Sequence, residues 1–293
     1  MASFLSADKG VPIRMPSVAN LMIDSTDRDE TFYPSPFDFQ ITKTNNLQNG
    51  YFTRISATEV VLEWCEPNVS AVFGNDVIAF DISGTGANAY VNANLSIALT
   101  DNFYTVAQAL DSIVELLNLQ SGTTGATFSI SQGGRNTLLD CSGAVFRVLP
   151  DILSTELELT QDQDLTAYKI VGSCPDLRRF RYLDFVSEQL TYAQDVKDAS
   201  TNPYNRNVLL RWYMAWDNPP SYDKYGFPIL MGYSDFVARR LFNPPKQIKW
   251  DTNLPVGNLA FQVYNDAGQL ITKANPANFL ETAWLMTLQL SEV

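Results

Sequence analysis

The chain of 293 residues contains no histidine. That absence removes the usual general base, the commonest zinc ligand and every Ser-His or Cys-His pair. A Ser-Lys pair or a carboxylate dyad is all that remains for hydrolytic chemistry, so an enzyme is not expected. Cysteine is scarce: Cys65, Cys141 and Cys174 are far apart, odd in number and without CxxC spacing. A metal knuckle is thereby disfavoured, and free buried thiols in a reducing compartment are expected. Long apolar runs are missing too. No stretch approaches the ~18 apolar residues of a membrane span, and residues 1–8 have no apolar core of the signal-peptide kind. Folding in a cytosol follows as the expectation. Charge is thin at 18% of residues, against about 25% in ordinary globular chains. Basic charge is thinner still, with 20 Lys and Arg against 32 Asp and Glu and a net charge of −12. Such a chain is repelled by nucleic acid and by anionic membranes unless its basic residues cluster. Arg178, Arg179 and Arg181 stand together, as do Arg239 and Arg240. Both groups are read as partners of the surplus carboxylates at a surface or subunit contact, not as a genome-binding patch.

What is present is strand after strand. Residues 1–35 carry Pro12, Pro16 and Pro34 and little periodicity, which predicts an extended arm. Phe37, Phe39 and Ile41 alternate with polar residues and predict a half-buried strand. Asn49-Gly50 predicts a turn, and 52–64 a long strand rich in β-branched residues. The texture then changes. Strands are expected at 77–82 and 95–99, followed by one convincing helix. Thr105 and Gln108 have capping-box spacing. Val106, Leu110, Ile113 and Leu117 form one apolar face, with Asn118 and the glycines at 122–125 closing the helix. Short strands are expected at 127–131, 137–141 and 145–149. From 177 onward the strands lengthen again: 180–186, 208–216, 247–250, 259–264, 269–273 and 283–290. Asn265-Asp266-Ala267-Gly268 is a hairpin turn. In the last strand Trp284, Met286, Leu288 and Leu290 share one face. No repeat, heptad or low-complexity tract occurs. The pattern predicts a mainly β fold, a single jelly-roll β-sandwich with an inserted small α+β or β-rich unit. Its expected division is an arm at 1–35, a jelly roll at 36–66 and 176–293, and an insertion at 67–175 holding the 105–118 helix. The alternative is that the middle strands belong to the jelly roll, with the helix as a connection between sheets.

Each clustering of reactive side chains has a plainer reading. Asp24, Asp27 and Asp29 lack calcium-loop spacing and the glycine that such a loop needs. They form a solvated acidic arm, or one paired through Arg28 to a neighbour. Gly84-x-Gly86 runs on into a strand, not a helix start, so it is a turn and not a phosphate loop. Glu156, Glu158, Asp162 and Asp164 form an acidic loop, and two carboxylates suffice for a glycosidase, yet an acidic chain offers many such pairs. Trp212 and Trp216 are expected in the core. Tyr222 and Tyr225, in a loop beyond Pro219-Pro220, are contact candidates.

Several segments, in order, resemble the penton-type minor capsid proteins of virophages and polinton-like viruses. They are Leu21-Met22-Ile23-Asp24-Ser25-Thr26-Asp27-Arg28, Pro34-Ser35-Pro36-Phe37-Asp38-Phe39, Tyr104-Thr105, Tyr182-Leu183-Asp184-Phe185-Val186-Ser187 with Leu190-Thr191, Asp198-Ala199-Ser200-Thr201, Pro245-Lys246-Gln247-Ile248-Lys249-Trp250, Asp266-Ala267-Gly268 and the Trp284 strand. The resemblance implies a single jelly roll with an outward insertion, five copies of which surround an icosahedral vertex in contact with the major capsid protein. It implies no active site, no cofactor and no metal. Asp24, Asp27, Arg28, Phe32, Tyr33, Arg178, Arg179, Arg239, Arg240, Tyr222 and Tyr225 become the interface candidates. The virion is the expected location, after assembly in the host cytoplasm or nucleus. Without histidine, and with carboxylates at ordinary pKa values, such an assembly would be insensitive to pH between 5 and 8. A viral or phage spike or baseplate module that recognises a receptor or glycan is the second reading. A histidine-free hydrolase is the third.

Overall fold

The structure, a computed structural model, describes residues 18–42, 52–63, 67–85, 92–121, 125–133, 136–159, 164–173, 175–191, 208–213, 222–229, 237–249, 258–271 and 282–292. The turn expected at Asn49-Gly50 lies outside them, as do Cys65, Cys174 and Trp216.

Two antiparallel sheets face each other. The first sheet has the order β1-β15-β3-β12, formed by β1 (Val18–Asp24), β15 (Trp284–Ser291), β3 (Arg54–Glu63) and β12 (Val237–Leu241). The short β13 (Gln247–Lys249) pairs with the start of β3. The second sheet has the order β11-β10-β14-β2, formed by β11 (Val208–Tyr213), β10 (Tyr182–Val186), β14 (Asn258–Asn265) and β2 (Asp38–Thr42). Alternation builds the core between them. Trp284, Met286, Leu288 and Leu290 point inward from β15, and Leu259, Phe261 and Val263 from β14. The Trp284 indole lies 5.1 Å from the Phe185 ring and 5.5 Å from the Phe39 ring, centroid to centroid. Its Nε1 donates to the Pro36 carbonyl at 2.6 Å. This is the jelly-roll sandwich that the residue pattern predicts.

The middle of the chain has its own apolar cluster. Strands β4 (Val77–Gly84), β5 (Asn92–Ala98) and β8 (Ala144–Val148) form one sheet, ordered β5-β4-β8. Strands β6 (Thr127–Gly133), β7 (Asn136–Ser142) and β9 (Tyr168–Val171) form another, ordered β6-β7-β9. Helix α1 (Val106–Gln120) contributes the buried Leu110, Ile113 and Leu117 to a cluster with Phe80, Phe128 and Phe146. The capping box is present: Gln108 N donates to Thr105 Oγ1 at 3.1 Å, and Thr105 N to Gln108 Oε1 at 2.9 Å. Two short helices follow, α2 (Ile152–Glu156) and α3 (Glu188–Thr191).

Several features depart from the sequence pattern. Residues 18–24, placed in the arm, are the strand β1, because Ala19, Leu21 and Ile23 give a weak inward alternation that the nearby prolines mask. Helix α1 runs past Asn118 to Gln120. Instead of ending the helix, Asn118 fastens it to β6: its Nδ2 donates to the Phe128 carbonyl at 2.9 Å, and its Oδ1 accepts from Phe128 N at 2.7 Å. Glu156 lies on α2, not in a loop, and α2 begins with a capping box at Asp151 and Ser154.

Candidate assembly surface

The acidic segment after β1 is a tight corner. Asp24 Oδ1 accepts from Thr26 N at 2.8 Å and opens a single 3-10 turn over Ser25–Asp27. Ser25 is fully buried, and its Oγ accepts from Trp284 N at 2.8 Å. Arg28 folds back on its own loop. It donates to the Ser25 carbonyl at 2.8 Å and the Tyr33 carbonyl at 3.0 Å, and it pairs with Glu30 at 3.1 Å. A guanidinium so engaged closes its own loop. Asp24 is likewise occupied as a cap. Tyr33 is half-buried, its phenol donating to Gln40 Oε1 at 3.1 Å. Asp27, Asp29 and Phe32 remain on the surface, with Phe32 76% exposed.

The arginines separate into two kinds. Arg178 forms a bidentate pair with Asp176, both contacts 2.8 Å. That partnership raises the Arg178 pKa and, outweighing burial, lowers the Asp176 carboxyl below its ordinary value. Arg179 lies 3.6 Å over the Phe73 ring and 5.0 Å from that of Phe180. Arg179 thereby spans Phe73 of the middle unit and Phe180 of the sandwich core. Arg239 and Arg240, by contrast, are exposed on β12, a margin of the first sheet, where Arg239 pairs with Glu59 of the adjoining strand.

The tyrosines also part. Tyr222 is 61% exposed. The Tyr225 phenol donates to Asp111 Oδ1 of α1 at 2.7 Å, and burial foremost, then this bond, raises its pKa. Asp223 Oδ2 accepts from Ala107 N at 3.0 Å, so a carboxylate meets the positive end of the helix. Phe227 is buried with the middle cluster. Tyr225 is therefore a clamp between this loop and α1.

The junction holds a titratable group that no sequence motif announces. Glu156 Oε2 accepts from Asn75 Nδ2 at 3.1 Å, and Asn75 also bonds the Asn68 carbonyl and Ser70 N. Burial, reinforced by the nearby carboxylates of Asp176 and Asp151, lifts the Glu156 pKa to about 7. The condition of ordinary carboxylates, on which insensitivity between pH 5 and 8 rested, is not met. Cys141 is free and buried, and burial pushes its thiol up to about 11.

One groove of about 330 Å³ crosses the outer face of the β5-β4-β8 sheet. In it Asp81 accepts from Asn94 at 2.9 Å and pairs with Arg147 at 2.6 Å, beside Ser83 and Leu165. Among the described residues no group of three or more acidic or cysteine side chains could hold a metal ion, and no helix is long and apolar enough to cross a membrane.

The residue pattern overlooked β12 itself and did not count the basic residues that follow it, Lys246 and Lys249, among the interface candidates. The signal was present: 237–249 holds four basic residues and no acidic one in a chain of net charge −12.

No protein-family model matches the chain, and no curated protein does. Solved structures do. A chain from the cryo-EM structure of the Sputnik virophage is 9% identical, with a TM-score of 0.51, over 96% of this chain and 98% of that one. The crystal structure of mavirus penton protein is 12% identical, with a TM-score of 0.49, over 96% of this chain and all of that one. The fold, sandwich and middle unit together, is thus one found in the Sputnik virophage structure.

Proposed function

We propose that this chain is a structural protein of a virion, a penton subunit that forms the five-fold vertices of an icosahedral capsid. One observation carries the reading: the shared fold with a Sputnik virophage chain runs end to end in both proteins, 96% and 98%, and is not confined to the sandwich. The ordered sequence resemblance to penton-type minor capsid proteins supports it independently. On this reading the chain works by self-assembly and by contact with the major capsid protein, without a catalytic step. On this reading the sandwich formed by β1 together with 36–66 and 176–293 is the shell element and 67–175 the outward insertion. In a closed ring each subunit offers two different surfaces to its neighbours, as any heterologous contact requires.

Light scattering behind a sizing column, with electron images of the same fractions, tests this. A ring of five copies is the expected result. A trimer or a persistent monomer, unchanged by co-expression with the major capsid protein, would overturn it.

A receptor- or glycan-recognising spike module is the second reading. The polar groove of Asp81, Asn94 and Arg147 favours it, since an aligned carboxylate, amide and guanidinium match the hydroxyls of a sugar. Binding of glycans by a monomeric chain, lost in Asn94→Leu, would move the assignment to this reading.

A further inference from the structure

The two margins of the first sheet carry opposite charge. Among the described residues the order β1-β15-β3-β12 leaves β1 and β12 as its open edges. The β1 side, residues 18–30, has four acidic residues against one basic. The β12 side, residues 237–249, has Arg239, Arg240, Lys246 and Lys249 and no acid. All four of these basic residues are exposed, and so are Asp27 and Asp29.

The two patches also sit at one height. The register aligns Asp24 with Leu285, Leu285 with Val61, and Val61 with Arg239. The 3-10 turn that carries Asp27 begins at the next residue after Asp24. The margins are therefore level along the strands and three inter-strand steps apart, about 14 Å. A rotation leaves height along its axis unchanged. For a ring whose axis runs along the strands, patches level in this way can meet around it, whereas a level mismatch gives an open helix. Apolar side chains flank both patches: Phe32 and Met22 at the acidic margin, 76% and 60% exposed, and Leu241 at the basic one, 61% exposed.

We propose that the β12 margin of one copy docks head to tail on the β1 corner of a second copy, with Arg239 and Arg240 facing Asp27 and Asp29 and with Leu241 against Phe32. The occupant of each margin is thus another copy of this chain, chosen by charge complementarity between two edges of one sheet. The inference rests on the self-assembling reading above and adds the surfaces through which it operates. Glu59 holds Arg239 in place on its own strand, so that the basic margin is set before the partner arrives.

Charge reversal tests it. One variant carries Arg239→Glu and Arg240→Glu, a second carries Asp27→Lys and Asp29→Lys, and a third carries all four. Each margin reversed alone places like charges in apposition, and the apparent assembly constant should weaken by about tenfold or more. The fourfold variant restores opposite charges and should regain the wild-type mass by light scattering. Circular dichroism and a melting curve on each variant verify folding; should a reversal unfold the chain, Arg240→Gln and Asp27→Asn make the same test at exposed positions. Reversals that assemble like the wild type, or a fourfold variant no better than either parent, overturn the pairing while the ring stands. A wild-type chain that never assembles overturns the ring itself.

Discussion

Glu156 shows how one buried carboxyl changes the behaviour expected of a chain without histidine. Its pKa in the fold, about 7, lies above the ordinary 4.5. The folded state therefore holds a proton that the unfolded chain has released, and unfolding becomes easier as pH rises from about 4.5 to 7. Below that window the contribution is complete, and above it the contribution is gone. The side chain keeps some contact with water, which reduces the total to about 2 kcal/mol. Glu156→Gln keeps the acceptor for Asn75 and has no charge to bury. Its unfolding free energy should lack the fall expected of the wild type between about pH 4.5 and 7, and denaturant titrations across that range would reveal it. Parallel profiles would show that the carboxyl ionises freely. Arg28 makes a second case. Replacing it with Ala leaves the carbonyls of Ser25 and Tyr33 without their donor, and should cost about 1–3 kcal/mol in the isolated chain. A purely intersubunit role would leave the melting temperature of the monomer unchanged.

At the level of elements, β3 shows that a long strand need not keep one alternation throughout. Its inward residues are Ile55 and Ala57, then Val60 and Leu62. The alternation slips by one between the pairs, and a bulge reconciles it: β15 advances one residue, from Thr287 to Leu288, while β3 moves two, from Glu59 to Ala57. The skipped Thr58 donates through Oγ1 to the Thr287 carbonyl at 3.2 Å. Such a bulge preserves the inward face across a break in phase. Helix α1 was legible to its first residue, because capping boxes are local chemistry. Its far end was not, because Asn118 bonds a strand ten residues away. Asn118→Ala removes both bonds and leaves Phe128 N and O unsatisfied in a half-buried position. A loss of about 1–3 kcal/mol is expected by denaturant unfolding, against about 1 kcal/mol for Thr105→Ala at the cap. A negligible effect at Asn118 would mean that water replaces the side chain at no cost.

For the whole molecule, the uneven placing of charge matters more than its sum. A net charge of −12 favours dispersed monomers, and assembly has to overcome it. On the proposed docking, the opposed margins of one sheet provide the local attraction. Because those charges are exposed, salt should weaken it: the screening length is about 10 Å at 0.1 M and about 3 Å at 1 M. The proposed ring should dissociate at lower protein dilution as salt is raised, as followed by light scattering. If salt instead strengthens assembly, apolar burial by Phe32 and Leu241 governs the contact and the charges only orient it.

The sequence by itself determined the β character, the cap of α1, the inward face of β15 and the want of histidine chemistry, because each depends on neighbours within a few residues. Only the tertiary structure decided that β1 belongs to the sandwich, that Arg28 and Tyr225 turn inward and that Glu156 is buried among carboxylates. It alone set the acidic and basic margins level on one sheet. Those outcomes join residues 18–30 to 237–241 and 284–291, and 107–111 to 223–227. Periodicity reports which face of a strand is apolar, but not which strand lies beside it, and hydrogen bonds between distant strands fix that only when the chain has folded.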